Sequence, residues 1–249
     1  MSKLRAVLRT GAFVGYSASI LLAYETHRAM TPESGREVLA NRYRRRLTDG
    51  ILRVFGAELL LVGQRRHLGG ALVVANHQSA LDIAVMLYLF EGVLVSRHDV
   101  ADWPLLGRLA KHGDTIFVDR EDRRSGALAL REIRRRAKEG RTVVAFPEGR
   151  TFPGDSVHEF HPGAFAAVAS LGVPIIPVGL AYSPAIPYGK ESFGTHIAKI
   201  AARPRTRIAV RLGEHLPPGL DARAAARIAR AEVEALVLEA RSALGRDRA

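Results

Sequence analysis

A histidine and an aspartate stand close together, where two apolar runs meet. His77 follows one run and Asp82 begins the next, five residues later. A tight strand-to-helix loop can bring the two side chains together, so that the carboxylate accepts the Nδ1–H of the imidazole. That contact fixes the tautomer and raises the basicity of Nε2. Such a histidine can take a proton from a hydroxyl group, a general-base step worth about 10²–10⁴-fold in rate.

The same spacing has a structural interpretation. Ser79 and Asp82 are separated as in a helix capping box, so Asp82 can simply cap the helix that it begins. His77 would then be a hydrogen-bonded loop residue. The spacing by itself leaves both interpretations open.

Further polar clusters directly follow other apolar runs and are candidate binding residues. They are Arg97, Asp119 with Arg120, and the run Glu148, Gly149, Arg150 and Thr151. Arginine binds phosphate bidentately, and a tight turn at Pro147–Gly149 would expose backbone N–H groups as further donors. Glu148 would orient an arginine or bind a hydroxyl. For each arginine, the alternative is a surface ion pair.

Short apolar runs and helical periodicity predict alternating strands and helices. We expect strands at 71–75, 93–96, 115–118, 142–146, 175–181 and 207–212. We expect helices at 82–90, 103–111, from a Ser125 cap to Gly140, at 163–171, and from Asp221 onward. This alternation predicts an α/β fold with a largely parallel or mixed sheet flanked by helices. The carboxyl ends of parallel strands share one edge, so the polar clusters would converge there.

Two prolines mark the predicted strand at 175–181. Pro174 precedes it and Pro177 lies within it. Proline in a strand predicts an edge position or a bulge, which would help to shape a groove. The alternative is ordinary core packing.

The N-terminal segment suggests contact with a membrane. Gly11–Tyr24 is almost free of charge, and as a helix its 14 residues would be about 21 Å long. A bilayer's hydrocarbon core is about 30 Å thick, so the segment would lie in the interface, re-enter, or span with help from its flanks. A buried core helix is the alternative.

The next segment has the pattern of a basic amphipathic helix. Apolar residues recur at helical spacing at 39, 43, 47, 51 and 55, and arginines take most of the other sides. Such a helix can lie on an anionic membrane, or it can be a surface helix packed on the domain. We expect membrane-associating helices in residues 1–55 and an α/β domain in residues 56–249. If the first apolar stretch dips into the membrane rather than crossing it, the positive charges on both sides of it favour the cytoplasmic side for that domain.

Composition narrows the classes of partner. The chain has no cysteine, which excludes disulfides and a cysteine nucleophile. Its net charge of +12 suggests an anionic partner such as anionic lipid, CoA phosphates or an acidic carrier protein. A solvated arginine-rich surface is the alternative. We find no nucleic-acid-binding signature, and His158 and His161 lack metal-site spacing, so no metal is expected.

Four blocks of the sequence together resemble the glycerolipid acyltransferase family, which includes 1-acylglycerol-3-phosphate acyltransferases. They are Asn76-His77-x4-Asp82, the pair Trp103–Gly107 and Phe117–Arg120, Phe146–Gly149, and Val173–Val178. The resemblance implies transfer of a fatty acyl group from acyl-CoA or acyl carrier protein to the hydroxyl of a lysophosphatidate-like acceptor, with no cofactor.

The resemblance also implies residue roles. His77 would be the base and Asp82 would orient it, while Arg120 and the Glu148 loop would hold the acceptor phosphate. Backbone N–H groups near the start of the Asp82 helix are candidate donors to the oxyanion of the tetrahedral intermediate.

Two departures from the family pattern concern the acceptor. The third block usually continues Glu-Gly-Thr-Arg, but here Arg150 precedes Thr151. Family members often carry lysine where this chain has Arg97, and the two side chains are not equivalent at a phosphate. Another lysolipid, such as a lyso-ornithine lipid, is therefore an alternative acceptor. A non-catalytic peripheral lipid-binding protein is an alternative of a different class.

Overall fold

The computed structural model describes residues 2–63, 70–103, 105–119 and 121–246. Its first half contains α1 (Ser2–Met30), α2 (Arg36–Val54), β1 (Ala57–Val62), β2 (Leu72–Ala75), α3 (Leu81–Leu89), β3 (Gly92–Arg97), α4 (Leu106–His112) and β4 (Ile116–Val118). Its second half contains α5 (Arg123–Lys138), β5 (Thr142–Ala145), α6 (Gly163–Val168), β6 (Ile175–Ser183), α7 (Phe193–Ala202), β7 (Thr206–Leu212) and α8 (Ala222–Arg246).

The strands form a single mixed sheet in the order β1-β7-β6-β2-β5-β3-β4. Neighbouring strands are parallel except β6 and β7, which are antiparallel. The predicted fold class is therefore confirmed. β1 and α7 were not predicted, although the buried residues Ile197 and Ile200 of α7 recur at helical spacing.

Helices cover both faces of the sheet. Residues of α1, α2, α3 and α7 pack on one face, and residues of α5, α6 and α8 pack on the other. β2 lies in the middle and is buried throughout. Val73 and Ala75 face the first helical layer, and Leu72 and Val74 face the second, as strand geometry requires.

α1 is longer than the apolar stretch that predicted it. Its 29 residues span about 43 Å at about 1.5 Å per residue. Of its described residues, Phe13, Ser17, Leu21 and Tyr24 are buried, whereas Leu4, Val7, Leu8, Val14 and Leu22 on other sides are exposed. Within the described ranges, α1 is the one helix long and apolar enough to cross a membrane.

α2 turns its apolar side toward the protein. Tyr43 and Phe55 are buried. Arg44 is also buried, and its guanidinium donates to the carbonyl of Gly113 at 3.0 Å and to Asn41 Oδ1 at 2.8 Å. The apolar face of α2 is therefore packed on the domain, which was the alternative to a helix lying on a membrane. The division of the chain at residue 55 stays a prediction.

Two local predictions about the sheet and its helices were wrong. Asp122, not Ser125, caps α5, because its carboxylate accepts from the N–H groups of Arg124 and Ser125. β6 is central rather than an edge strand. Pro177 is tolerated because it lies just outside the β6–β7 ladder, which begins at Val178.

Candidate active site

The chain leaves the sheet at the end of β2 through Asn76. Its side-chain amide donates to the carbonyl of Leu180 at 3.0 Å and accepts from the N–H of Leu180 at 2.8 Å. A side chain thus continues the pairing of β2 with β6 for one more residue. The following loop, from His77 to Ala80, is thereby anchored to the sheet.

Asp82 binds both His77 and the loop between them. Its Oδ2 lies 2.8 Å from His77 Nδ1. The same oxygen accepts from the N–H of Gln78 at 2.6 Å and of Ser79 at 2.9 Å. One carboxylate oxygen therefore holds the imidazole and the loop backbone together. The cap interpretation holds only in part, because the N-cap of α3 is Ala80 and it has no side-chain hydrogen bond.

Tyr182 on β6 completes the surroundings of Asp82. Its hydroxyl donates to Asp82 Oδ1, and both side chains are fully buried. Burial, and then the adjacent Asp82 carboxylate, raise the pKa of Tyr182 well above its ordinary value. The phenol therefore stays protonated and keeps donating. A tyrosine in a strand is common, so the sequence offered no signal for this contact.

The loop after β5 fixes the orientation of His77. The ring of Phe146 stacks on the imidazole at 4.1 Å between centroids, with 15° between planes. The N–H of His77 donates to Glu148 Oε1 at 2.8 Å, and its carbonyl accepts from the N–H of Phe152 at 2.9 Å. These contacts leave Nε2 free, since it forms no hydrogen bond with any residue in the described ranges.

His77 lies in the wall of a cavity of about 800 Å³. Residues of α1, α2, α3, α4 and α7 line this cavity. Much of its wall is apolar and includes Phe13, Ile20, Leu47, Ile51, Leu87 and Leu109. Concave sites with an apolar wall and a few placed polar groups are typical of small-molecule binding. This one is suited to a fatty chain whose reactive end reaches His77.

Most of the predicted binding residues belong to the same wall. It includes Arg97, Gly149, Arg150 and Thr151. Arg97 is exposed and forms an ion pair with Asp99 at 2.8 Å. The exposed Arg150 lies over the ring of Phe152 at 4.6 Å, and with the changed order both Arg150 and Thr151 still line the cavity. Arg120 lies outside the described residues.

Glu148 contacts the backbone of His77 and is not part of the cavity wall. It is buried, and its two oxygens accept from the backbone N–H groups of His77 and His158, at 2.8 and 3.1 Å. The carboxylate therefore ties the loop after β2 to the loop after β5. Burial raises its pKa to about 7.

This pKa makes stability depend on pH in a defined direction. Folded Glu148 keeps its proton up to about pH 7, whereas an unfolded glutamate loses it near about pH 4.3. The folded state therefore binds more protons in this window, and stability falls as pH rises through it, by about 3 kcal/mol. Urea unfolding from pH 5 to 8 should show this fall in the wild type and lose most of it in Glu148→Gln.

The control for this measurement is Glu159→Gln, which removes an exposed carboxylate from the same loop. It should retain the wild-type dependence on pH. Parallel curves for the wild type and Glu148→Gln would contradict the assignment.

The N–H groups at the start of α3 are already occupied. Those of Gln78 and Ser79 bind Asp82, and that of Ala80 binds His196 Nε2 at 3.2 Å. They cannot also serve an oxyanion, contrary to the expectation from sequence. In the described part of the chain, the backbone N–H groups of Arg150 and Thr151 form no hydrogen bond, and both residues line the cavity.

Comparison with known proteins adds independent evidence. The model of the family described as Acyltransferase matches residues 60–181. A lyso-ornithine lipid O-acyltransferase from Rhizobium meliloti is 36% identical over 49% of this chain and 44% of its own length. A 1-acyl-sn-glycerol-3-phosphate acyltransferase from Neisseria gonorrhoeae is 31% identical over 47% of this chain and 46% of its own. These matches span about half the length of those relatives.

Two other matches extend over nearly the whole chain. A lyso-ornithine lipid O-acyltransferase from Pseudomonas aeruginosa is 29% identical over 89% of both chains. The crystal structure of the 1-acyl-sn-glycerophosphate acyltransferase PlsC from Thermotoga maritima superposes with a TM-score of 0.77 at 20% identity, over 96% of this chain and 97% of that one. The latter likeness shows a common fold. Residues 60–181 thus match the acyltransferase family model, and a lipid O-acyltransferase is similar to this chain over nearly its whole length.

Proposed function

We propose that this protein transfers a fatty acyl group from an acyl thioester to the free hydroxyl of a lysolipid. The observation that carries the proposal is the 2.8 Å contact of His77 Nδ1 with Asp82 Oδ2, with the imidazole in the wall of an apolar cavity. The names of the relatives, which are lipid O-acyltransferases, support the same reaction.

In the proposed mechanism His77 is the general base. Nε2 takes the proton of the acceptor hydroxyl as its oxygen attacks the thioester carbonyl, and Asp82 stabilises the imidazolium that forms. The N–H groups of Arg150 and Thr151 stabilise the oxyanion of the tetrahedral intermediate. When the carbon–sulfur bond breaks, the thiolate leaves and takes the proton from His77. The enzyme forms no covalent intermediate.

The acceptor that we propose first is lysophosphatidate, which would give phosphatidate. Arg97 and Arg150 are cations in the cavity wall close to the His77 loop, and both suit a phosphomonoester. Arg120 and the backbone of Gly149 and Thr151 would add further donors. Glu148 would contribute indirectly, by holding the loop that carries Arg150.

A lyso-ornithine lipid is the second candidate acceptor. It is favoured by the Pseudomonas aeruginosa relative, which matches over 89% of both chains. The carboxylate of an ornithine headgroup can pair with the same arginines that suit phosphate. The cavity wall also includes Asp99 and Glu191, which can face an ammonium group.

A matrix of donors and acceptors tests the proposal. Acyl-CoA and acyl carrier protein would each be assayed with lysophosphatidate and with lyso-ornithine lipid. We expect turnover of lysophosphatidate to exceed that of lyso-ornithine lipid at least tenfold. In Arg150→Ala, KM for lysophosphatidate should rise several-fold with little change in kcat, because a binding contact is lost. Arg131→Ala, which removes an exposed arginine of α5 on the other face of the sheet, is the control.

The outcomes separate the candidates. Turnover of lyso-ornithine lipid alone would replace the first acceptor by the second. Absence of acyl transfer in every combination would refute the enzyme function and favour a lipid-binding protein without catalysis.

We also propose that the protein works at a membrane surface, with its α/β domain on the cytoplasmic side. α1 exposes an apolar stripe that includes Leu4, Leu8 and Leu22, while its opposite side is packed on the protein. A helix packed along one side suits the interface better than a simple span. Exposed Arg42, Arg45, Arg46 and Arg53 of α2 would face anionic headgroups.

A further inference from the structure

A second buried histidine lies against the loop that joins His77 to Asp82. His196 on α7 is fully buried. Its Nε2 lies 3.1 Å from Ser79 Oγ and 3.2 Å from the N–H of Ala80. The residue lies beyond the part of the chain that the family matches, which ends at residue 181.

The contacts determine the protonation of this ring. The N–H of Ala80 can only donate, so Nε2 must accept and the ring proton must be on Nδ1. Ser79 Oγ accepts from the N–H of Leu81 at 3.3 Å, which leaves its own proton for Nε2. Burial lowers the pKa of His196 to about 4, so the ring is neutral at neutral pH, as these contacts require.

The other ring nitrogen has a different environment. Among the described residues Nδ1 has no hydrogen-bond partner, and it lies 3.7 Å from Glu191 Oε1. The ring of Tyr188 stacks on His196 at 4.2 Å, with 11° between planes. The N–H of Tyr188 donates to the carbonyl of Gln78 at 3.0 Å, so the segment before α7 binds the same loop.

The loop held by His196 is the one that holds Asp82. Ser79 donates its N–H to Asp82 Oδ2 at 2.9 Å, and its carbonyl accepts from the N–H of Asp82 at 3.1 Å. A shift of Ser79 would therefore move the carboxylate, and with it the imidazole of His77. Misplacement of a catalytic group by about 1 Å can cost on the order of 100-fold in rate.

We propose that His196 is a positioning residue, a neutral acceptor from α7 that sets the Ser79–Ala80 turn and thereby the contact of Asp82 with His77. It touches neither the substrate nor the reacting atoms. The inference rests on the proposed role of His77 as the base.

Substitutions at His196 test this role, because they differ in whether a hydrogen-bond acceptor remains at the position of Nε2. Glutamine can place its carbonyl oxygen there, asparagine is too short, and leucine has no acceptor. We expect kcat to fall at least tenfold in His196→Leu and His196→Asn, with KM for donor and acceptor within about twofold of the wild type. His196→Gln should retain at least a third of kcat, since the acceptor is kept.

The matched control is Ile200→Ala. Ile200 is also fully buried and lies one turn further along the same helix. Its truncation should lower Tm without changing kcat, because it leaves the turn at Ser79 in place.

The results that overturn the inference are specific. They are a wild-type kcat in His196→Leu, an equal loss of kcat in Ile200→Ala, or equal activities of the glutamine and asparagine variants. If the leucine variant does not fold, the comparison of the glutamine and asparagine variants still tests the inference. A fully active His77→Ala would overturn the proposed base and this inference with it. An inactive His77→Ala beside an active His196→Leu would overturn this inference alone.

Discussion

Replacing His77 with alanine is expected to lower kcat by about 10²–10⁴-fold, since the reaction then loses the general base that we propose. The fold should persist, because the side chain is partly exposed and its contacts with Phe146 and Asp82 belong to a loop rather than to the core. KM for both substrates should change little, because in our proposal the acyl chain and the headgroup bind elsewhere in the cavity. Initial rates at saturating donor and acceptor, together with Tm, measure this.

The control for His77→Ala is His215→Ala, which removes an exposed histidine remote from the cavity wall. It should keep wild-type kcat. If His77→Ala retained more than about a tenth of the activity, the loss would fall below the range expected for a general base, and another residue would have to take the proton.

Asparagine at position 82 should reduce kcat almost as strongly, on the order of 10³-fold. The amide can keep the hydrogen bonds of the loop, because its oxygen can replace Oδ2 while its nitrogen faces the Tyr182 hydroxyl, which can accept. What it lacks is the negative charge that, in the proposed mechanism, stabilises the imidazolium of His77. The expected result is therefore a fall in kcat with a folded protein, measured by initial rates and thermal unfolding.

Tyr182→Phe is the matched comparison for Asp82→Asn. It removes the hydrogen bond to Oδ1 but keeps the carboxylate charge, so kcat should fall only several-fold, as for the loss of about 1 kcal/mol. An Asp82→Asn variant no less active than Tyr182→Phe would mean that the charge of Asp82 contributes nothing. The carboxylate would then be only a structural cap.

At Asp82 the local spacing of residues is compatible with more than one role. A carboxylate a few residues from a histidine can cap a helix or orient an imidazole, and each interpretation rests on short-range geometry. The structure shows one Asp82 oxygen in contact with His77 Nδ1 and with the N–H of Ser79, which lies ahead of the helix. Local patterns could not decide between the two interpretations, because nothing in them forced a choice.

The N-terminal helices show what even a clear amphipathic pattern leaves undecided. The pattern of α2 predicts an apolar face correctly, but what covers that face depends on the rest of the chain. Tyr43 and Ile51 line the cavity, and Arg44 is buried against Gly113 instead of facing lipid. Charge and periodicity identify an amphipathic helix, whereas long-range packing decides what its apolar face contacts.

For this protein the sequence alone predicted the alternation of strands and helices, the sheet edge at which the polar clusters meet, and the contact of His77 with Asp82. These depend on residues close together in the chain. Only the tertiary structure decided that β5 lies beside β2, which brings Glu148 to the backbone of His77. It also decided that Tyr182 and His196, 100 or more residues away, support Asp82 and its loop. Strand order and helix docking arise from packing across the whole sheet, and no local pattern carries that information.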